Sequence, residues 1–431
     1  MKKIIALLLA LTMALSLAAC GKPANNGDQS ADGGKVDLDV VIAQYTDSTA
    51  EWWKEFESAF ETANTDINLN IEVISWNDIT SQIATRIQTG EQPDILNISP
   101  FSTYVTDDLL VPVDEYVSET VKNNIIPSFY AANTMDDTVW ALPILASVRC
   151  MLVNTDILAQ AGITEIPSTW AEVMAACEAV KQNCPGITPW GLDISTDEGQ
   201  AAFSYYTWNA GGGYVDADGN WTINSAENVK ALEFIKELYN SGYCNANPTT
   251  DTRYPLQDAF SAGNMAMILA PMNAVKADST INYEFAPFPT AEEGMTPVSM
   301  GVSDQFMVFK NEDAKDEEAR LAACTKFFDA FYALDTYADY MVFEGFLPAT
   351  LDASEYLATN ADKHEDRLGV AGSNEYFALF CPMAVSAQFY PESKAEWIDV
   401  KFGVIDAEQQ VAEGLIDAQA ALDALQAEVA G

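Results

Sequence analysis

The sequence predicts an α/β fold built as two domains. Residues 36–431 are more than a single hydrophobic core usually supports, so we expect the chain to divide. Hydrophobic residues make up 49% of the chain, which is enough to fill two cores. Strand and helix patterns alternate from residue 36 to residue 98, an order typical of parallel strands joined by helices on both faces of a sheet.

The alternation begins at residue 36. Apolar and polar residues alternate from there and run into an apolar stretch, which predicts a strand over 36–43. Trp52, Phe56 and Phe60 then follow at intervals of four residues. This spacing places them on one face of an amphipathic helix.

A second strand and helix repeat the pattern. Apolar residues at every second position predict a strand over 67–73, and isoleucines at intervals of four predict a helix over 79–87. Gly90 stands where a glycine commonly ends a helix. Residues 93–98 form the third predicted strand, so the first hundred residues of the body indicate a parallel sheet.

The middle of the chain departs from the regular alternation of strands and helices. Residues 141–154 are predicted to be largely extended and to cross between two helical blocks as a hinge. Thr169 is predicted to cap the helix that follows. Apolar stripes predict long helices over 317–341 and 407–430.

The N-terminus carries a processing signal. Two lysines precede an apolar run over 4–17 that is too short to span a bilayer, and residues 17–20 (LAAC) close it. This pattern resembles a bacterial lipoprotein signal peptide, although an ordinary secretory signal could also end in cysteine. We expect a signal peptide over 1–19, a lipid on Cys20, and a flexible linker within 20–35. The protein would then be exported and held at the outer side of the cell membrane by its acyl chains.

The chain is strongly acidic. It has 21 Lys and Arg against 64 Asp and Glu, which gives a formal net charge of −43. Phosphate groups repel such a chain, so nucleic acid and anionic lipid surfaces are excluded as partners. We interpret the charge as a solubility feature of an exposed protein.

The sequence indicates no metal site, no cofactor and no catalytic centre. The six cysteines after Cys20 have no metal-like spacing, although a disulfide between Cys177 and Cys184 is possible. His364 is the single histidine and lies in a charged run, which excludes Ser-His-Asp and Cys-His arrangements. No nucleotide-binding glycine pattern is present. We therefore predict that the protein is not an enzyme.

Several short segments occur in a fixed order along the chain. They are TGEQPDI at 89–95, WALP at 140–143, VNTDIL at 153–158 with AGI at 161–163, PSTW at 167–170, NAGG at 209–212, DAFSAGNMAM at 258–267 and GFLP at 345–348. Together they resemble the family of extracellular solute-binding proteins that feed ABC importers, in its sugar-binding branch. Met272 departs from this pattern, because the family often has an aromatic residue near that position.

The resemblance implies a two-lobed periplasmic-binding-protein-like fold of type II, the Venus flytrap. Each lobe would be built around a mainly parallel sheet, with hinge strands between the lobes. The first lobe would comprise residues 36–144 and 301–348. The second lobe would comprise residues 145–300 and 349–431.

Candidate ligand contacts stand where the predicted strands of the first lobe end, because open α/β sheets bind ligands at the carboxyl ends of their strands. Amide, carboxylate and aromatic side chains at these positions suit a sugar, whose hydroxyls form hydrogen bonds and whose C–H faces stack on rings. For Tyr45 and Trp76 the alternative is that the ring packs in the core. The candidates are Gln44 and Tyr45 after the first strand, Trp76 and Asp78 after the second, and Ser99 and Phe101 after the third.

Arg149 is an isolated basic residue within the predicted hinge passage. A guanidinium group in apolar surroundings needs partners. The sequence leaves two interpretations open: Arg149 holds hydroxyls or a carboxylate of the ligand, or it pairs with an acidic residue across the hinge.

The other candidates come from the second lobe and the return crossing. Trp190 and Trp208 are predicted contacts from the second lobe, and Gly211 follows Trp208 in the NAGG segment. Ser303 and Asp304 fall on the return crossing between the lobes, where main-chain and carboxylate groups could reach a ligand.

The resemblance implies the substrate-binding component of an ABC importer. It would capture an extracellular solute, a carbohydrate in the favoured interpretation, by closure of the lobes. The partners would be a membrane permease and its ATPase, and the protein is expected to be a monomer. One alternative is a cationic solute such as a polyamine or a quaternary amine, which aromatic rings could also hold. A surface enzyme acting on glycosides and an adhesin rank lower.

Overall fold

The computed structural model describes residues 35–46, 48–76, 78–99, 101–276, 279–311, 316–367, 374–394 and 396–429. The chain divides at residue 35, and Val36–Gly431 forms one unit. Cys20, the predicted signal peptide and the linker lie outside the described residues, so the lipid anchor stays a prediction. Among the described helices, none combines the length and the apolar character that a membrane crossing requires.

The first part of the described chain alternates strands and helices and then adds short segments. Its elements are β1 (Val36–Gln44), α1 (Thr49–Ala63), β2 (Ile67–Ser75), α2 (Ile79–Thr89), β3 (Ile95–Ile98), α3 (Ser102–Thr106), a 3-10 turn (Val113–Glu115), α4 (Glu119–Asn124), α5 (Pro127–Ala132), β4 (Thr134–Met135), β5 (Thr138–Val139) and β6 (Leu142–Pro143).

The middle part begins with a long strand that leaves the first sheet. Its elements are β7 (Ser147–Asn154), α6 (Thr155–Ala161), α7 (Trp170–Asn183), β8 (Thr188–Gly191), α8 (Gly199–Trp208), α9 (Ala226–Asn240), α10 (Arg253–Ser261), β9 (Met265–Pro271), β10 (Tyr283–Ala286) and β11 (Gly301–Val302).

The last part returns to the first sheet and ends in helices. Its elements are β12 (Gln305–Val308), α11 (Glu317–Phe331), α12 (Leu334–Glu344), α13 (Leu351–Asn360), a second 3-10 segment (Ala361–Arg367), α14 (Asn374–Val385), α15 (Trp397–Ala412) and α16 (Ala418–Val429).

The predicted elements of the first hundred residues are confirmed. Gly90 ends α2 with φ 72°, in the left-handed conformation that glycine adopts without strain. Thr169 caps α7 as predicted: its hydroxyl accepts from the Glu172 N–H at 3.3 Å, and the Glu172 carboxylate accepts from the Thr169 N–H at 3.1 Å. This is a reciprocal capping box.

The two long C-terminal helices were predicted wrongly as single helices. Residues 317–341 divide between α11 and α12, because Ala333 takes an extended ψ of 132° between them. Residues 407–430 divide between α15 and α16, where Gly414 has φ 74°. Both breaks preserve the apolar stripe, so periodicity alone did not indicate them.

The considered disulfide does not form. Cys177 and Cys184 are both buried free thiols. They stand seven residues apart on α7 and its end, and a helical rise of about 1.5 Å per residue separates them by roughly 10 Å. That separation is too great for a disulfide bridge.

The first sheet is mixed and defines the first lobe. Its strand order is β2-β1-β3-β12-β6. β1 pairs in parallel with β2 and β3, as the alternation predicted. β12 enters antiparallel between β3 and β6.

The second sheet defines the second lobe and departs from the expected mainly parallel arrangement. Its order is β10-β7-β9-β8, and only the β8–β9 pair is parallel. β7 runs antiparallel to β9, β10 and β11. The reason is topological: β7 carries the chain into this lobe as a hinge strand, so its direction is set by the crossing rather than by a strand–helix–strand unit.

Three chain segments connect the sheets and lie side by side. The Ile144 N–H donates to the Asp304 carbonyl at 2.9 Å, which joins the outgoing and returning segments. Ala146 and Leu347 exchange backbone hydrogen bonds of 2.7 and 2.9 Å, which joins the outgoing segment to the third. The hinge is therefore a small hydrogen-bonded bundle, and the exact residue limits of the two lobes stay a prediction.

Candidate functional site

A cavity lies where the hinge segments meet the first sheet. It contains about 650 Å³ of empty space, part of it open to solvent. Residues after β3, the returning hinge segment and a segment before α15 all contribute to its wall. The lining residues are Ser99, Phe101, Ala132, Asn133, Gly301, Val302, Ser303, Gln305, Phe389, Tyr390 and Glu392.

The predicted strand-end residues meet in part at this place. Ser99, Phe101 and Ser303 line the cavity directly. The Ser303 hydroxyl donates to the Asp304 carbonyl at 2.9 Å, which fixes the turn between the hinge and β12. The structure thus brings together residues from the ends of β3 and of the return crossing.

A group of aromatic side chains on the first lobe, here called the aromatic wall, lies outside the residues that line the cavity. The Tyr45 ring meets Trp76 edge-on at 5.9 Å and Phe346 edge-on at 5.5 Å between ring centroids. Trp76 is 40% exposed, so much of its ring is available to a partner. An indole in the core would have lost this exposure, and the core alternative for Trp76 does not describe this structure.

Tyr45 is also held by its hydroxyl group. It donates to Asp304 Oδ2 at 3.1 Å and accepts from Asn97 Nδ2 at 3.1 Å. Asn97 is fully buried, and its Oδ1 accepts from the Ala43 N–H at 3.2 Å. The end of β1 therefore fixes the Asn97 amide, and Asn97 in turn fixes the Tyr45 hydroxyl. That hydroxyl orients the Asp304 carboxylate.

Burial alters the acidity of this carboxylate. Loss of hydration raises the pKa of Asp304 to about 6, while the hydrogen bond from Tyr45 acts in the opposite direction. Burial also raises the pKa of the Tyr45 phenol, so it remains a donor. At neutral pH Asp304 is therefore an anionic acceptor next to the cavity.

Two residues of the cavity wall have buried amide oxygens without a partner among the described residues. Asn133 Nδ2 donates to the Phe129 carbonyl at 2.9 Å, and Gln305 Nε2 donates to the Ser303 carbonyl at 2.9 Å. Within the part of the chain that the structure describes, Asn133 Oδ1 and Gln305 Oε1 accept no hydrogen bond. Both oxygens are closed off from solvent in this structure, so each is a buried acceptor without its usual partner.

The opposite wall is also aromatic. Tyr390 stacks on Trp397 with ring centroids 5.0 Å apart, and Trp208 lies behind it at 6.4 Å. Trp208 is only 4% exposed, so it supports Tyr390 instead of lining the cavity. Phe389 packs edge-on against Phe129 at 4.7 Å.

Arg149 is buried in the second lobe and has an acidic partner. Its guanidinium lies 3.8 Å from Glu198 Oε1, and the same carboxylate binds Arg253 at 2.5 Å. Although burial lowers the pKa of Arg149, the nearby Tyr205, Glu198 and Tyr390 raise it overall. Glu198 precedes α8 in the same lobe, so this ion pair does not cross the hinge as the second interpretation required.

Four further predicted residues also lie away from the cavity wall. Trp190 is fully buried in the core beneath α7, and its Nε1 donates to the Tyr206 hydroxyl at 3.0 Å, so it presents no ring face to a solute. Gly211 ends α8 with φ 87°. Asp78 accepts from the Ser75 hydroxyl at 2.8 Å, and Gln44 donates to the Thr46 carbonyl at 3.2 Å. These polar side chains are engaged within their own loops.

Sequence reasoning missed several residues of this site. Phe346 lies in the GFLP segment and Gln305 lies two residues after Ser303, so both had a nearby signal. Asn133 and Tyr390 had none. Asn133 follows α5 in the first lobe, and Tyr390 reaches the cavity because the Met300–Gln388 bridge brings the segment before α15 against the returning one.

Known proteins resemble this chain in sequence and in fold. Residues 43–333, more than half of the chain, match the family model described as bacterial extracellular solute-binding protein. A Brucella abortus (strain 2308) protein, named only as a binding protein, is 28% identical over 343 residues, which cover 77% of this chain and 81% of that one.

Two further comparisons bear on sequence and fold. The carbohydrate ABC transporter substrate-binding protein of Streptococcus pneumoniae serotype 4 is 24% identical over 267 residues, 57% of this chain and 53% of that protein. The crystal structure of the cyclic α-maltosyl-1,6-maltose binding protein from Arthrobacter globiformis superposes with a TM-score of 0.74 at 19% identity, covering 92% of this chain and 98% of that one. The two-lobed fold agrees with the sequence match, and the chain belongs to the bacterial extracellular solute-binding protein family.

Proposed function

We propose that this protein captures a carbohydrate outside the cell and delivers it to an ABC importer. The observation that carries the proposal is the hinge cavity, which aromatic rings and polar side chains line together. Sugar rings offer C–H faces for stacking and many hydroxyl donors, so they match both features. The printed names of two similar proteins, a carbohydrate-binding component and a maltosyl-maltose binding protein, support the same class of solute.

The mechanism follows from the position of the cavity. Its wall includes the returning hinge segment, Gly301–Val302 and the residues after it, so a solute there touches both lobes and the hinge. A solute that contacts the closed form more fully shifts the population toward closure. The closed form would dock on a membrane permease whose ATPase supplies energy. The family is one of binding proteins, and no catalytic step is required.

The finer location is also part of the proposal. The protein is exported, held by a lipid on Cys20, and acts as a monomer. Replacing Cys20 with Ala would release it from the membrane fraction. Unchanged membrane retention of that variant would contradict the lipid anchor without touching the solute-binding proposal.

The test of the solute is a thermal-shift panel on the mature protein. It contains maltodextrins, galactan-derived and xylan-derived oligosaccharides, polyols, polyamines and amino acids. A ligand at about 100 times its Kd stabilises the folded state by about 2.7 kcal/mol, which a melting curve resolves. Stabilisation by one or more sugars is expected. Stabilisation by polyamines and by no sugar would overturn the proposal.

A further inference from the structure

The first sheet ends on one side in β2. This strand is nine residues long, stands last in the strand order, and pairs with β1 alone among the described strands. The outer side of such an edge strand carries backbone N–H and C=O groups that no neighbouring strand uses. A row of this kind can pair with a strand of another molecule, so the partners of these groups decide whether the edge is open.

Two glutamates of α1 accept hydrogen bonds from the outer side of β2. The Leu69 N–H donates to Glu61 Oε1 at 3.1 Å. The Ile71 N–H donates to Glu57 Oε2 at 3.1 Å. Because Leu69 and Ile71 are alternate residues of one strand, their N–H groups point to the same side, and both donors on that side are occupied.

The spacing of the acceptors matches the spacing of the donors. The two glutamates are four residues apart on the helix, a rise of about 6 Å. The two amides are two residues apart on the strand, a distance of about 6.6 Å. The Asn64 carbonyl, directly after α1, continues the row and accepts from the Ile67 N–H at 3.1 Å. One face of α1 and the turn after it therefore provide acceptors to three alternate residues of β2.

These bonds are not what holds α1 on the sheet. Phe56 and Phe60 do so, because both rings are buried in the core beneath the helix. Water could accept from the same N–H groups if Glu57 and Glu61 were absent, so the two bonds add little to the net stability of the fold. Their main effect is on access, because an N–H group that already donates to a carboxylate cannot pair with another strand.

We infer that Glu57 and Glu61 close the β2 edge against pairing with a second copy of this chain. A second copy is the partner that fits, because two β2 edges related by a twofold axis present the same surface to each other and can pair antiparallel. Alternate side chains over 67–73 are apolar and buried or half-buried, so the pairing would continue this apolar face from one molecule into the other. The inference does not depend on the identity of the solute.

The test removes both acceptors from the full mature chain. In the alanine pair, Glu57→Ala with Glu61→Ala, the substituted residue is a strong helix former, so α1 is retained. We expect the Leu69 and Ile71 amides to exchange hydrogen for deuterium severalfold faster in dilute solution. Sedimentation velocity should then show a dimer that increases with protein concentration, and both amides should regain protection in that dimer.

The matched control is the glutamine pair, Glu57→Gln with Glu61→Gln. It removes the same two negative charges and keeps an oxygen acceptor at each position. It should remain monomeric with both amides protected. All proteins are compared at one salt concentration, so that the net charge of −43 is screened equally.

Each outcome bears on the inference. An alanine pair that exchanges faster but stays monomeric at every concentration would overturn it. Unchanged exchange at both amides would also overturn it, because the carboxylates would not occupy the edge. Dimers in both pairs would assign the association to charge and overturn it as well. If circular dichroism shows that the alanine pair is unfolded, Glu57→Ala alone opens the Ile71 amide and is held to the same comparison with Glu57→Gln.

Discussion

Replacing Gly301 with alanine should damage the cavity wall by a steric effect alone. Gly301 has no positive φ, so alanine can adopt its backbone conformation. A Cβ atom at this position would stand 2.5 Å from Phe389 Cζ and 2.8 Å from its Cε2. Ordinary contact begins at 3.4 Å, so the Phe389 ring must move away by about 0.9 Å.

Phe129 restricts this movement on one side of the ring. Phe389 is packed edge-on against Phe129, which is fully buried, and its neighbour Gln388 is tied by backbone hydrogen bonds to the returning hinge segment. Overpacking of this kind typically costs about 1–3 kcal/mol. We expect Gly301→Ala to lower the free energy of unfolding by about that amount and to weaken solute binding, because Phe389 lines the cavity.

A double variant tests the cause. Phe389→Leu removes the atoms that clash, so Gly301→Ala should cost much less stability in that background than in the parent protein. Urea unfolding of the four proteins gives the coupling free energy, and calorimetric titration with the sugar from the panel gives the effect on binding. Additive losses in the double variant, or a Gly301→Ala protein as stable as the parent, would refute the steric argument.

Three further predictions concern the aromatic wall and two buried acids. Trp76→Ala should weaken sugar binding by about 1–3 kcal/mol in calorimetric titration, and unaltered affinity would remove the ring from the site. Glu408 is fully buried, its oxygens have no partner among the described residues, and burial raises its pKa well above 4.5, so the folded state binds the extra proton. Stability therefore falls as pH rises above the ordinary pKa, and the stability gain from Glu408→Gln in urea unfolding should be larger at pH 8 than at pH 5, whereas a gain independent of pH would contradict this. Tyr45→Phe removes the hydroxyl that counteracts the raised pKa of Asp304, so that pKa should move above about 6, and an unchanged carboxyl titration by NMR would speak against the bond.

The sequence predicted the first lobe well because its signals are local. Alternation and helical spacing fix where β1, β2 and β3 end, and the side chains just after those ends include Tyr45, Trp76 and Ser99. Their grouping then follows from parallel strands, whose carboxyl ends share one edge of the sheet. No information about the rest of the chain was needed.

The cavity residues of the second lobe were harder to predict, because their positions depend on segments that are distant in the sequence. The sequence around Trp190 and Trp208 is rich in apolar residues, and spacing does not reveal which face of β8 or α8 meets the cavity. The Trp190 ring is buried in the core, and the Trp208 ring lies behind Tyr390. Tyr390 itself reaches the site through a bridge between residues 300 and 388, a pairing that no local pattern indicates.

The returning hinge segment joins recognition to movement. The Gly301 N–H donates to the Gln388 carbonyl and the Asp304 carbonyl accepts from the Ile144 N–H, so residues 301–305 join the segment before α15 to the outgoing crossing. Four of those residues line the cavity, and the fifth, Asp304, is bonded to Tyr45. A solute that engages Ser303 or Gln305 therefore acts on the backbone about which the lobes must rotate. The same residues therefore bind the solute and form the hinge. A solute with different affinities for the open and closed forms changes the equilibrium between those forms directly, and no other residues are needed to transmit the effect.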